Sequence, residues 1–251
     1  QDGCDNFCTF CVTRLARGKG RSVPKEAILN DIQAAEEGGV REVVLSGVHL
    51  ASWGRDASAN ETITDLIKFL LENSSVERIR LSSIEPWDLD EAFFELWQNP
   101  RMCRHLHLPL QSGSAGVLKR MARNTSPEAF ANLVDMARKI IPGAAITTDL
   151  IVGFPGETPE MFEELVSFFE KDVVFDMISH FGYSDVQGAP SSKLQGKVDA
   201  LQIGRRWDLL RKVLGPRSFY NAIEKSDTDR AIYLISLESD YTFCKDTYLK
   251  E

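Results

Sequence analysis

Short apolar segments alternate with amphipathic segments along most of this chain. Five apolar segments have the length of buried strands, and they span residues 42–46, 78–82, 105–110, 146–152 and 174–181. The segments between them carry apolar residues at helical spacing. Strands that alternate with helices in this way predict βαβ units with parallel strand pairing, which is an α/β fold.

Capping residues mark where several of the predicted helices begin and end. Pro24 suits the first turn of a helix that Gly38 closes, and Ser126 and Thr158 each stand before a Pro-Glu pair as N-cap residues. Further helices are predicted through 66–71, near 88–98 and from about 198 to 214. These helices supply the crossover connections that parallel strands need.

Polar and apolar residues alternate in the third predicted strand. The leucines of 105–110 share one face, whereas His105, His107 and Gln111 share the other. The leucine face suits packing under the helices, which turns the polar face inward. Thr147 and Asp149 share a polar face in the same way. Zinc binding by the two histidines is the alternative, and an inward polar lining needs fewer assumptions.

Three cysteines lie close together at the start of the chain, separated by three and then two residues: Cys4, Cys8 and Cys11. Three thiolates can hold three irons of a cubane cluster and leave the fourth iron open to a ligand. A structural zinc site is the main alternative, but it usually has two pairs of ligands, and Cys103 and Cys244 are isolated. Disulfides within this segment would be cramped. Five cysteines without a secretory segment suggest a reducing compartment.

Charge limits the partners of the chain. A net charge of −8 argues against nucleic-acid binding over the whole surface, and no apolar run approaches the ~20 residues that span a bilayer. A local basic patch does follow the cysteines, and we predict that it contacts RNA. Its members are Arg14, Arg17, Lys19 and Arg21. A solvated loop is the alternative for this patch.

Polar or glycine-rich segments follow nearly every predicted strand. They are residues 46–49, 82–86, 111–114, 153–158 and 183–184. Each taken alone could be a turn, a helix cap or a strand end. Parallel barrels build their active sites from the loops after their strands, so the joint pattern predicts a site at this rim.

The cysteine loop would belong to the same rim and would follow a strand of its own. No residues before Gln1 supply that strand. We therefore expect a partial (β/α)6 barrel with its first strand missing, over residues 1–214, followed by a short β-rich tail over 215–251.

The motifs from Gln1 to about Arg211 resemble the radical S-adenosylmethionine (SAM) core of the methylthiotransferases. These motifs are the cysteine loop at residues 4–11, residues 16–18 together with 21–22, residues 108–114, Met121 together with Arg123, and residues 148–158. Residues 47–50 and 78–86 resemble the branch that acts on threonylcarbamoyladenosine in tRNA.

The resemblance implies that Cys4, Cys8 and Cys11 hold a [4Fe-4S] cluster whose open iron binds SAM, which an electron cleaves to a radical. The residues expected to bind SAM or to shape its pocket are Ser46, Gly47, Glu85, Gln111, Arg123 and Asp149. For Arg123 and Asp149 a structural salt bridge is an alternative. No residue is assigned a catalytic role.

The implied reaction transfers a methylthio group to C2 of N6-threonylcarbamoyladenosine beside the tRNA anticodon. The implied partners are the tRNA anticodon stem-loop and a reductant such as flavodoxin or ferredoxin. The resemblance further implies a cytoplasmic, monomeric enzyme that does not bind a membrane. A radical SAM enzyme of other chemistry and a non-catalytic, metal-stabilised RNA-binding module are the alternatives.

This chain departs from the family pattern in several places. Members carry an amino-terminal domain with three further cysteines for an auxiliary cluster, which this chain does not supply. Val186 and Ala189 stand where the family has arginine and threonine, and Ser179 stands where a histidine is common. The family continues into a TRAM-like RNA-binding barrel, of which residues 215–251 would be an incomplete version with one strand at 230–235.

Overall fold

The computed structural model describes residues 1–57, 61–170 and 175–219. Its strands are β1 (Glu42–Leu45), β2 (Arg78–Leu81), β3 (His105–His107), β4 (Ala145–Val152) and β5 (Met177–Gly182). Its helices are α1 (Thr13–Arg17), α2 (Lys25–Glu37), α3 (Ile63–Asn73), α4 (Glu91–Phe94), α5 (Ala115–Arg120), α6 (Pro127–Ile140), α7 (Pro159–Glu170) and α8 (Ala200–Leu214). The predicted tail strand at 230–235 lies outside the described residues.

All of the paired strands run parallel, as the alternation predicts. β1 pairs with β2, and β4 lies between β3 and β5 in a second sheet. An isolated parallel bridge between Ile79 and Met102 connects β2 to the segment that leads into β3. The predicted α/β class with parallel sheets is therefore confirmed.

Several element boundaries differ from the predictions. β3 ends at His107 rather than Leu110, because Pro109 has no N–H to continue the ladder. Pro24 is the N-cap of α2 rather than its first residue. The predicted helix near 88–98 is divided into the short α4 and the 3-10 turn Glu95–Gln98. Val174, the predicted start of β5, lies outside the described residues.

The inward and outward faces of β3 and β4 follow the predicted alternation. Leu106, Leu108 and Leu110 are at most 2% exposed and belong to the main apolar core. On the polar face, His107 Nε2 lies 3.0 Å from Asp149 Oδ2, and Thr147 Oγ1 lies within 3.2 Å of both His105 and His107. No helix within the described ranges is long and apolar enough to cross a membrane.

A buried ion pair connects α8, the last of these helices, to the 153–158 loop. Glu157 Oε1 accepts hydrogen bonds from the Gly153 N–H at 3.0 Å and from Arg206 Nη1 at 2.6 Å. Arg206 Nη1 also donates to the Glu157 carbonyl at 3.0 Å. One side chain of α8 therefore satisfies both a carboxylate and a backbone oxygen of a loop after β4.

A buried histidine is expected to make the stability of the fold depend on pH. His180 stacks on Trp207 with ring centroids 4.8 Å apart, and burial together with the Arg211 charge lowers the pKa of His180 to about 4. Because the unfolded chain then binds the proton more readily, the free energy of unfolding should fall by up to roughly 3 kcal/mol as pH drops from about 6.5 to about 4.

Denaturant unfolding across that pH range tests this expectation. His180→Phe keeps an aromatic ring beside Trp207 and removes the titrating group, so its stability should fall less steeply with acid. Equal pH slopes for the two proteins would refute the assignment.

Candidate functional site

The three cysteines of the amino-terminal loop line one cavity together with residues from several strand ends. Cys4, Cys8 and Cys11 are half-buried free thiols. Glu85 follows β2 and Gln111 follows β3, while Arg123 comes from the segment after α5. The other lining residues are Asn6, Phe10, Thr13, Arg14 and Val48. Residues far apart in sequence thus meet at the rim where the strand-end motifs are predicted to converge.

Backbone contacts hold the cysteine loop against the rest of the rim. The Thr9 N–H donates to the Met121 carbonyl at 3.0 Å, and the Ser191 N–H donates to the Thr9 carbonyl at 2.8 Å. Gly3 has a φ of +70°, and a Cβ there would lie 1.9 Å from the Lys19 carbonyl oxygen. Only glycine permits this close approach, which places Cys4 directly after a fixed turn.

Arg123 connects the cysteines to Glu85. Its guanidinium is buried, with Nη1 3.8 Å from Cys8 Sγ and Nη2 2.8 Å from Glu85 Oε2. Nη2 also donates to the Pro109 carbonyl, and the group lies 4.4 Å from the centre of the Trp87 ring. Burial raises the pKa of the Cys8 thiol, and the Arg123 charge opposes that effect.

Two polar atoms in this group are buried without a hydrogen bond among the described residues. They are Arg123 Nε and Glu85 Oε2; the latter lies at ion-pair distance from Arg123 but not in hydrogen-bond geometry. A polar ligand or an ordered water can complete such buried polar atoms beside a cavity. The amino and carboxylate groups of an amino-acid ligand such as SAM have that chemistry.

His49 supports the loop from the side of β1. His49 Nε2 lies 2.7 Å from Asp88 Oδ2, and Arg55 pairs with the other oxygen of Asp88 at 2.5 Å. Burial disfavours the charged imidazole, but hydrogen bonds with Asp88 and Cys4 outweigh it and raise the pKa of His49 to about 9. A buried positive charge therefore lies beside Cys4.

The structure brings only some of the predicted SAM residues to the cavity. Glu85, Gln111 and Arg123 line it, and Gln111 has a φ of +80°, a costly conformation for a residue other than glycine. Gly47 contacts Gln1, and a Cβ there would lie 3.0 Å from the Gln1 Cβ. The remaining two lie elsewhere: Ser46 lines a groove beside β1, and Asp149 pairs with His107.

The basic patch is built into the same loop. Arg17 and Arg21 pair with Asp2 at 3.1 and 3.2 Å, and Lys19 is exposed. Arg14 Nη1 donates to the Asp5 carbonyl at 2.7 Å and also lines the cavity. The patch thus braces the cysteine loop in addition to presenting positive charge.

The donor set fits an iron–sulfur cluster better than a single zinc ion. Among the described residues, no three His, Cys, Asp or Glu side chains are arranged to hold one metal ion. Three thiols that share one cavity suit a cluster in which each sulfur binds a different iron. Cys103 is unsuited as a fourth ligand, since it is buried elsewhere and burial raises its pKa to about 11.

The sequence indicates the cysteines and several other cavity residues, but it does not indicate the residues that hold the cysteine loop in place. Asp88 and Arg55 were not predicted to lie near the loop. Phe10 and Thr13 line the cavity, and only their positions between or beside the cysteines could have predicted this. Among the family departures, Val186 is exposed, Ala189 is buried, and Ser179 pairs in register with Asp149. None of the three lines the cysteine cavity.

Curated proteins that this chain resembles are tRNA-modifying enzymes. The threonylcarbamoyladenosine tRNA methylthiotransferases MtaB of Thermotoga maritima and Bacillus subtilis are 39% and 40% identical to it, over 84% and 79% of this chain. A tRNA-2-methylthio-N(6)-dimethylallyladenosine synthase of Clostridium botulinum is 37% identical over 84% of the chain. These matches cover 49%, 44% and 47% of the relatives, so the chain spans about half their length. The resemblance to methylthiotransferases is thereby confirmed.

Solved structures share the fold at low identity. Coproporphyrinogen III oxidase (HemN) from Escherichia coli, described as a radical SAM enzyme, superposes with a TM-score of 0.61 at 19% identity, over 85% of this chain and 50% of that one. The methyltransferase TsrM from Kitasatospora setae gives 0.56 at 17% identity, over 72% and 35%. A family model described as the Radical SAM superfamily matches residues 1–169, which include the whole cysteine loop. The chain belongs to the radical SAM superfamily.

Proposed function

We propose that this chain is the radical SAM core of a tRNA methylthiotransferase that modifies C2 of N6-threonylcarbamoyladenosine beside the anticodon. The observation that carries the proposal is the cavity in which Cys4, Cys8 and Cys11 meet Glu85 and Arg123. Relatives with about 40% identity that bear methylthiotransferase names support the reaction class. Membership of the superfamily implies a [4Fe-4S] cluster and SAM.

Residues of this chain would hold and shield the cluster and SAM. The three thiolates would bind the cluster, and bound SAM would supply a radical after one-electron cleavage. The Glu85 carboxylate, which forms an ion pair with Arg123, would accept a hydrogen bond from the SAM amino group. Arg123 compensates negative charge at Cys8 and fixes Glu85 in place. The buried pair of His49 and Asp88 orients the loop beside Cys4.

The finer features of the architecture are also proposals. We infer that the two parallel sheets belong to one partial (β/α)6 barrel over residues 1–214 and that 215–251 are an incomplete TRAM-like RNA-binding tail. Gln111 would line the SAM pocket, and Ser46 and Gly47, which lie outside the cysteine cavity after β1, would contact the part of SAM that extends beyond it. Asp149 would act with His107 in the lumen. This reaction fits a cytoplasmic monomer. The monomer would receive electrons from flavodoxin or ferredoxin and would contact the tRNA anticodon stem-loop through the basic patch.

Product analysis tests the function directly. The chain is reconstituted anaerobically with iron and sulfide, reduced with dithionite, and incubated with SAM, sulfide and tRNA that carries N6-threonylcarbamoyladenosine. Mass spectrometry of the digested tRNA should show the 2-methylthio nucleoside. The matched control is tRNA that carries N6-dimethylallyladenosine, and modification of that substrate instead would reassign the branch.

Two other outcomes correspond to the alternative functions. SAM cleavage without a methylthio nucleoside on either tRNA would favour radical SAM chemistry of another kind. Zinc without iron in the purified chain, together with RNA binding, would favour a metal-stabilised binding module. No described residues are assigned to the auxiliary cluster that the methylthiotransferases carry. Sulfide is therefore added to the assay as the source of sulfur.

A further inference from the structure

The cysteine loop carries an exposed aromatic ring at the edge of the cavity. Phe7 stands between Cys4 and Cys8, and it is 69% exposed. A single exposed apolar side chain usually has no particular role. Phe7 differs because Arg14 packs on its ring and because its chain neighbours Asn6 and Cys8 line the cavity.

Arg14 fixes the ring. The Arg14 guanidinium carbon lies 3.9 Å from the centre of the Phe7 ring, and Nη1 of the same group donates to the Asp5 carbonyl at 2.7 Å. Arg14 is half-buried and also lines the cysteine cavity. One face of the ring is therefore covered by the guanidinium group, while most of the ring is exposed to solvent.

The surroundings of the ring favour a nucleic acid over another ligand. Arg17, Lys19 and Arg21 are exposed within the same loop region, and although Arg17 and Arg21 share the Asp2 carboxylate, the group keeps a net positive charge for phosphates. Proteins bind unpaired bases by stacking them on aromatic rings and guanidinium planes. Val48 lines the cavity and is 38% exposed, so it adds an accessible apolar side chain to this region.

A base that is presented to the cluster and SAM must leave the stack of its own loop. Unstacking costs a few kcal/mol, and a protein surface that stacks the neighbouring base reduces that cost. We propose that Phe7, backed by Arg14, is a stacking surface for the nucleobase that flanks the base presented to the cluster and SAM. This inference rests on the proposed function, because it takes single-stranded RNA as the substrate class.

Binding of RNA without turnover tests the inference. The reconstituted chain is titrated with a fluorescent anticodon stem-loop RNA and with a fully paired RNA of equal length. Phe7→Ala should weaken stem-loop binding by about 5- to 150-fold and leave the paired RNA unaffected. Phe7→Trp should retain the affinity. Leu209→Ala, another exposed apolar side chain, on α8, is the matched control and should change nothing.

Salt dependence separates stacking from phosphate contact. For Phe7→Ala the slope of log affinity against log salt should equal that of the unaltered chain, whereas Arg17→Ala should reduce it by about one. Equal stem-loop affinity for Phe7→Ala and the unaltered chain would overturn the inference, as would no RNA binding by the unaltered chain. A 2-methylthio nucleoside made by the unaltered chain, together with equal stem-loop affinity for Phe7→Ala, would leave the proposed function standing and remove only the stacking surface.

Discussion

Replacing Cys8 by alanine is expected to prevent the chain from holding an iron–sulfur cluster. Three thiolates are needed to bind three irons, and the residues that line the cavity include no thiol besides Cys4, Cys8 and Cys11. After anaerobic reconstitution, the iron content should fall from about four per chain to a small fraction of that value. Iron, acid-labile sulfide and the visible absorption of the cluster measure the loss.

Cys103→Ala is the matched control for that result. Cys103 is 3% exposed and its Sγ lies 3.7 Å from Glu42 Oε2, away from the cysteine loop. Its replacement should leave the iron content unchanged. Full iron loading of Cys8→Ala, or an equal loss in Cys103→Ala, would show that the amino-terminal cysteines are not the ligands.

The second large effect is expected at the buried pair of Glu157 and Arg206. Their side chains are 0% and 11% exposed, so Arg206→Met leaves a carboxylate buried without its cation. Breaking one partner of a buried ion pair costs about 3–5 kcal/mol of unfolding free energy. Burial raises the pKa of Glu157, so the carboxyl should take up a proton readily and the cost should shrink as pH falls.

Denaturant unfolding of Arg206→Met measures this cost. Arg205→Met changes an exposed arginine next to it on α8 and should alter stability little. Glu157→Gln keeps an acceptor for Gly153 and Arg206, and it should lose less than Arg206→Met. Equal stabilities for the Arg205 and Arg206 variants would contradict the role of the pair in fastening α8.

The sequence predicts the parts of this molecule that depend on local pattern. The leucines of β3 lie in the core and His107 faces the polar lining because side-chain direction follows strand periodicity. The three thiols share one cavity because their spacing confines them to one loop. Pro109 shortens β3, although the ladder resumes through Gln111 and Leu150.

Such local patterns do not predict contacts between residues that are far apart in the sequence. Arg123 reaches Cys8 across 115 residues, and His49 reaches Asp88 across 39. Each depends on how several crossover units pack, which no local period encodes. The division of the 88–98 helix is similar, because Trp97 donates to the buried Cys103 carbonyl in a turn that an unbroken helix would not form.

Release of 5′-deoxyadenosine tests the central claim, that the cysteine cavity binds a cluster and SAM for reductive cleavage. The chain is loaded anaerobically with iron and sulfide, reduced with dithionite, and given SAM without RNA. We expect 5′-deoxyadenosine from the unaltered chain and none from Cys8→Ala. A folded, fully iron-loaded chain that binds SAM and releases no 5′-deoxyadenosine would contradict the claim.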